Sequence, residues 1–264
     1  MTIVAAIKWV SHPGEPHDER FAGMSPADES ALEFALQQAA AEGTGVTAIT
    51  IGPEGADKVL RDALACGATR AIRVDAPSTT AGTDVATAIA SELPDAQWVW
   101  CGDYSLDRGA GSVPPFIASM LGAQQALGVI AARIDGAVVH ATRRLDGGRR
   151  ELLEVRAPAV ISVEGATARL RRAGLAAVRT ASSAPIEVVA ATTPIHRMEF
   201  MVRPYRPRAR VLPAPAGDSA LERLRVLTDA AAAAAARGDT VHLEPADAAD
   251  RIVHALRDWG YLDH

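Results

Sequence analysis

Between Trp98 and Phe116 the chain reads WVWCGDYSLDRGAGSVPPF, an apolar run, a turn with three glycines, and a second apolar run. Glycines at 102, 109 and 111 let a ligand come close to bare main chain. A helix opening at about 110–113 would leave its first N–H groups without intrahelical partners, and such groups favour an anion, above all a phosphate. Ser112 adds a hydroxyl donor, and Val113 stands where the helix begins. Asp103 and Asp107, four residues apart in the turn, have the spacing of an acid pair, but carboxylates in such turns more often hold the loop by accepting from backbone N–H groups. The chemistry indicated is the holding of a phosphorylated ligand. The plain alternative is a tight strand–helix turn.

Other chemistries are not written here. Gly109-Ala110-Gly111-Ser112-Val113-Pro114 opens as a dinucleotide fingerprint does, but Pro114 stands at the third glycine position and the run follows a fourth strand rather than a first. Asp135, at about the distance of a ribose acid, falls in a hairpin turn. There is no GxSxG elbow, no GxxxxGK[ST] loop and no HExxH pair. The seven histidines are scattered and read as surface or capping residues. No catalytic residues of its own are expected. Cys66 and Cys101 lie too far apart for a CxxC motif, and two such thiols suit a reducing cytosol. The arginines of VRPYRPRAR (202–210), interleaved with prolines, read as an arm laid on a partner protein rather than a nucleic-acid patch. Leu175, apolar in a basic segment, reads either as a core contact or as an exposed anchor for a partner.

The elements that must position the turn repeat along the first half of the chain. TIVAAIKWV (2–10) is a continuous apolar run, as a strand buried on both faces requires. Ser25-Pro26-Ala27-Asp28 then opens a helix, with Ser25 as cap, Pro26 at the first position and an acid in the first turn. Further strands are expected at 46–52, 71–75 and 97–102, with helices at 54–66, 82–93 and 110–121. This alternation implies a parallel sheet with right-handed crossovers. From 125 to 165 four extended runs, with Asp135-Gly136 and Asp146-Gly147-Gly148 between them, suggest antiparallel strands added to that core. Residues 1–189 would form the nucleotide-binding domain and 190–264 a partner-binding arm with helices. In the latter, 190–217 is Pro-rich and irregular, Asp218 caps a helix over 219–237, VHLEP (241–245) is a strand, and 247–262 is an amphipathic helix.

Composition is that of a globular protein: 264 residues, 48% apolar and 22% charged. The net charge of −5 argues against a dominant nucleic-acid role. No apolar run reaches membrane-spanning length, and MTIVAAIKWV reads as a first strand rather than a signal peptide.

VAAIKWV (4–10), GMSPADESALEFAL (23–36), ITIGP (49–53), LRDALACGATRAIRVD (60–75), the glycine turn, TRRLDGGRRELLEVRAPAVISVEG (142–165) and APIEVV (184–189) resemble, in order and spacing, the beta subunit of electron-transfer flavoproteins. The resemblance covers about residues 3–189. It implies an adenine-nucleotide alpha-hydrolase-like α/β fold with a mostly parallel sheet, added antiparallel strands and a C-terminal helical arm. It implies a structural AMP touching Ala6, Ser25, Pro26, Ala27, Asp28, Ile51, Gly102, Asp107, Gly109, Gly111, Ser112 and Val113. It also implies FAD held mainly by an alpha subunit in a heterodimer, electron transfer from flavin-dependent dehydrogenases to a quinone oxidoreductase or similar acceptor, and Leu175 as the docking leucine. AMP, a second FAD and no nucleotide all stay open. The family's turn usually begins Gly-Lys/Arg-Gln and carries several acids; here Asp103, Tyr104, Arg108 and Gly109 depart from it, as does Ser25 where asparagine is common. The alanine and arginine bias points to a specialised branch such as the mycofactocin-associated one, in a cytoplasmic protein. A free-standing nucleotide sensor of the universal-stress-protein kind is the alternative.

Overall fold

The computed structural model describes residues 2–11, 19–191, 215, 217–227 and 241–262. The chain divides into two compact units, Met1–Met201 and Val202–His264.

The first unit is built on one nine-stranded sheet. Its elements in chain order are β1 (Thr2–Ala6), α1 (Pro26–Glu42), β2 (Val46–Gly52), α2 (Asp57–Cys66), β3 (Arg70–Asp75), α3 (Gly82–Glu92), β4 (Ala96–Gly102) and α4 (Val113–Leu121). There follow β5 (Gln124–Asp135), β6 (Val138–Arg144), β7 (Arg150–Arg156), β8 (Ala159–Val163), α5 (Leu175–Ser182) and β9 (Glu187–Ala190). The strand order is β7-β6-β5-β8-β4-β1-β2-β3-β9. The first four strands pair in parallel, β3-β2-β1-β4, as the strand–helix alternation requires.

Period-two alternation along each central strand splits the core into two layers. Ile3, Ala5, Trp98 and Trp100 face α1 and α2, while Val4, Val99 and Cys101 face α3 and α4. Trp100 ties the first layer to α1: its ring stacks on Phe34 at 5.1 Å and its indole N–H donates to Gln38 Oε1 at 2.7 Å, both partners on that helix. Fully buried polar Gln38 is tolerated because it satisfies that N–H.

Local signals act as read at the main helix ends. Ser25 Oγ accepts from the Asp28 amide, and Gly43 and Gly67 close α1 and α2 in the left-handed conformation. The expected antiparallel addition is found only in part. β5, β6 and β7 form an antiparallel meander turned at Gly136 and at Gly147-Gly148, all with positive φ. β8, however, lies between β5 and β4 and is parallel to both. Alternation does not encode strand direction, but all five residues of β8 are buried, the mark of a central strand in a parallel sheet. The last strand, β9, adds in parallel to β3 at the far edge.

In the second unit, α6 (Ala220–Leu227) and α7 (Pro245–Asp258) are helical. Ser219, not Asp218, caps α6: its hydroxyl accepts from the Glu222 amide, while Glu222 accepts from the amides of Asp218 and Ser219. This reciprocal box needs a Ser followed three residues on by Glu, a pattern Asp218 does not begin. Residues 241–244 form no strand, because Pro245 opens α7 directly after them. The alanine-rich run at 229–238 and most of the Pro-rich stretch at 190–217 lie outside the described residues.

Candidate functional site

The chain runs β1-β2-β3 in one direction across the sheet and then places β4 on the other side of β1. The loops leaving the carboxyl ends of β1 and β4 therefore part, and a crevice opens where they do. A cavity of about 760 Å³ occupies this place. Ala6, Ile7 and Lys8 leave β1 into it, Ile51 reaches it from β2, and Cys101 and Gly102 reach it from β4. The loop after β3 contributes Pro77 to Thr80, and the helix starts contribute Gly82, Ser112 and Val113.

Of the residues the resemblance assigned to AMP, Ala6, Asp28, Ile51, Gly102, Asp107, Gly111, Ser112 and Val113 line this cavity. Ser25, Pro26, Ala27 and Gly109 stand outside its lining. Ser25 and Ala27 are buried at the start of α1, where Ser25 caps the helix and donates its hydroxyl to Asp28 Oδ2 at 3.0 Å.

The three glycines serve different ends. A Cβ on Gly102 would stand 2.7 Å from Asp28 Oδ1, and one on Gly111 would collide with the Asp103 carbonyl oxygen. Both are therefore close-approach positions between protein segments. Gly109 has open space around it but φ +62°, a conformation that favours glycine. The Gly109 amide donates to Ser105 O at 2.7 Å, folding the turn on itself.

Helix α4 begins at Val113, at the end of the expected 110–113 range, and Pro114 and Pro115 follow. Two amides are thereby absent from its first turn. The donors left are the main-chain N–H groups of Gly111, Ser112 and Val113, which have no protein acceptor among the described residues. The Ser112 side chain makes no capping bond, and Ala81, which precedes α3, has no side-chain acceptor. Three consecutive unengaged amides beside a serine hydroxyl suit a terminal phosphate.

The charged groups around these amides are engaged within the protein, Lys8 and Asp107 as an ion pair. Lys8 Nζ reaches both oxygens of Asp107 at 2.6 and 2.7 Å and Ser105 Oγ at 3.0 Å. Burial pulls the Lys8 ammonium below its ordinary pKa, offset in part by Asp107. Burial alone would raise Asp107, but hydrogen bonds from Lys8 and Ser105 outweigh it and hold the carboxyl below the usual range. Arg108 donates to the Thr80 and Ser78 carbonyls, each at 2.7 Å. Asp28 is buried: the Ser25 hydroxyl and the Lys8 amide donate to it, yet burial dominates and raises its pKa to about 6. Of the acid pair considered from spacing, Asp107 binds side chains rather than backbone N–H groups. Asp103 is raised, by burial first and by the Glu164 charge second.

Sequence reasoning passed over Lys8 and Arg108 as site residues. Lys8 follows an apolar strand, where a first charged residue marks the sheet's edge and hence the crevice, so its position carried a signal. Arg108 stands out in the sequence only as a departure from the family's acids, and its pairing with the 78–80 loop carried no signal, because it joins residues about 30 apart.

Leu175 opens α5 and is 78% exposed, with Val178 exposed one turn later. The core-contact reading is thus excluded within this chain. The segment before it is fixed: Arg171 makes a two-pronged pair with Glu33 at 2.9 and 3.0 Å, and Ser30 Oγ donates to Ala168 O at 2.9 Å. Arg61 of α2 holds the end of α5 through the Ala181 and Ala184 carbonyls. Leu175 sits on a braced platform. Among the described residues, no helix is long and apolar enough to cross a membrane, and no three His, Cys, Asp or Glu groups gather as metal ligands.

A model of the family described as "Electron transfer flavoprotein domain" matches residues 18–194. The chain belongs to this family. Its relatives place it with the beta-type members. It is 34% identical over 175 residues to Protein FixA of Bradyrhizobium diazoefficiens, covering 62% of this chain and 60% of that protein. It is 29% identical over 166 residues to the electron transfer flavoprotein subunit beta of the same organism, covering 62% and 66%. The corresponding subunit of Methylophilus methylotrophus matches at 26% over 226 residues, covering 76% and 84%. The chain thus spans less than two thirds of the length of the first two relatives. The α/β fold with a mostly parallel sheet, added antiparallel strands and a C-terminal helix agrees with this membership.

Proposed function

We propose that this chain is the beta subunit of an electron-transfer flavoprotein, paired with an FAD-bearing alpha-type subunit and braced by AMP in the cavity beyond β1 and β4. The observation that carries the reading is the row of unengaged amides at Gly111, Ser112 and Val113, set in a crevice at the sheet's switch point. Relatives named electron transfer flavoprotein subunit beta support it.

In this reading the chain's own residues bind and orient. The three amides and the Ser112 hydroxyl hold the phosphate, Ala6 and Ile51 offer apolar wall, and Asp28 and Gly102 fix how β4 meets α1. FAD, when bound by the alpha subunit, supplies the redox chemistry. Leu175 on its braced helix docks flavin-dependent dehydrogenases, and electrons pass on to a quinone oxidoreductase or a similar acceptor in the cytoplasm. The exposed, braced Leu175 favours a partnered subunit over a free-standing nucleotide sensor, which needs no such platform.

Co-expression with an alpha-type subunit encoded beside it tests the reading. The expected product is a yellow complex with the two chains in equal amounts. A colourless chain that purifies alone contradicts it.

A further inference from the structure

The turn between Asp103 and Gly111 is tied to both of its neighbours by consecutive residues facing opposite ways. Asp107 receives Lys8, from just beyond β1, at 2.6 and 2.7 Å. Arg108 turns to the loop after β3 and donates to Thr80 O and Ser78 O, both at 2.7 Å. That receiving loop is itself firm. Thr80 is buried, and its amide and hydroxyl both donate to Pro77 O, at 3.1 and 2.6 Å. Except for Asp103, Leu106 and Gly109, the residues of this turn border the same cavity, as do Lys8, Pro77, Ser78 and Thr80. A guanidinium giving two charge-assisted bonds to carbonyls of a fixed turn acts as an anchor.

We propose that residues 103–111 form a strap along the nucleotide cavity, clasped by Arg108, and that Arg108 is a positioning residue that governs how fast the ligand enters and leaves. The inference rests on the reading that the cavity holds an adenine nucleotide. The two clasps differ in kind. Lys8–Asp107 is an ion pair that salt weakens, whereas the Arg108 bonds to Thr80 O and Ser78 O go to neutral carbonyls, bonds that salt screens less. Arg108 binds protein in the closed strap whether or not ligand is present. Its loss therefore raises the open form in both states and quickens both rates, with little change in affinity. A residue that touched the ligand would change affinity instead.

The test uses the full-length chain loaded with radiolabelled AMP and chased with unlabelled AMP, with Kd from calorimetry. Arg108→Met is expected to release AMP about a hundredfold faster, the scale of its two charge-assisted hydrogen bonds lost from the closed strap. Its Kd should stay within about twofold of wild type. Arg108→Lys keeps the charge but cannot span both carbonyls, so it should lose one bond and release about tenfold faster, between the two. It also serves if the methionine variant does not fold. Unchanged release in either variant, with AMP bound, overturns the strap and leaves the nucleotide reading standing. Faster release with a matching loss of affinity makes Arg108 a ligand contact and overturns the strap too. A wild-type chain that retains no AMP overturns both.

Discussion

Gly102 and Asp28 meet so closely that no side chain fits between them: a Cβ on Gly102 would stand 2.7 Å from Asp28 Oδ1 and 3.1 Å from the Asp28 amide nitrogen. The end of β4 and the start of α1 are thereby locked at the cavity wall. Gly102→Ala is expected to cost about 1–3 kcal/mol, as overpacking a filled site does. Urea unfolding would measure it, and AMP retention should fall with it. Gly109→Ala meets open space but must keep φ +62°, so its cost is the left-handed backbone penalty alone, about 1–2 kcal/mol.

Asp28 should make stability depend on pH in an unusual direction. Its folded pKa, about 6, lies above the ordinary value of 3.8. Between these values the folded state holds a proton that the unfolded state has released, so raising the pH favours unfolding. The contribution of Asp28 is fully present below pH 4 and is lost as pH rises through 6, amounting to roughly 2–3 kcal/mol. Asp28→Asn should lack this slope. Unfolding free energies of the two proteins from pH 4 to 7 would check it, and parallel curves would contradict it.

Trp100 and Gln38 form a buried polar pair on the α1 side of the sheet. Gln38→Leu leaves the indole N–H without an acceptor and is expected to destabilise the protein by about 1–3 kcal/mol. AMP affinity should not change, because neither residue borders the cavity.

Leu175 projects from a helix whose base is held by other residues. Leu175→Ala should leave stability within about 0.5 kcal/mol, since its side chain is exposed. Electron transfer from the flavin dehydrogenase to the assembled complex should fall sharply. Unfolding and transfer rates measured on the same preparation separate the two effects, and an unchanged transfer rate contradicts the docking role.

The central sheet was legible because each of its strands and helices carries a local signal. Ser25 caps, Gly43 and Gly67 terminate, and β1 and β4 are continuous apolar runs. What lay hidden was non-local. The direction of β8 depends on which neighbour it enters between, and a five-residue apolar run is the same read either way. The capping of α6 turned on a single residue, Ser219 rather than Asp218. At the site, the glycine turn marked the place, and Pro114 was noted only as a broken fingerprint. Its physical effect, with Pro115, is to remove amides and leave Gly111 to Val113 as the donors. The pairing of Lys8 with Asp107 and of Arg108 with the 78–80 loop exists only once three separate loops have been brought together by the sheet.

Calorimetric titration of the full-length chain with AMP and with adenosine tests most directly whether main-chain amides hold an anionic group there. AMP should bind at one site, and adenosine, which lacks the phosphate, at least about a hundredfold more weakly, the value of two charge-assisted hydrogen bonds. Equal binding of the two, or none of either, contradicts the account.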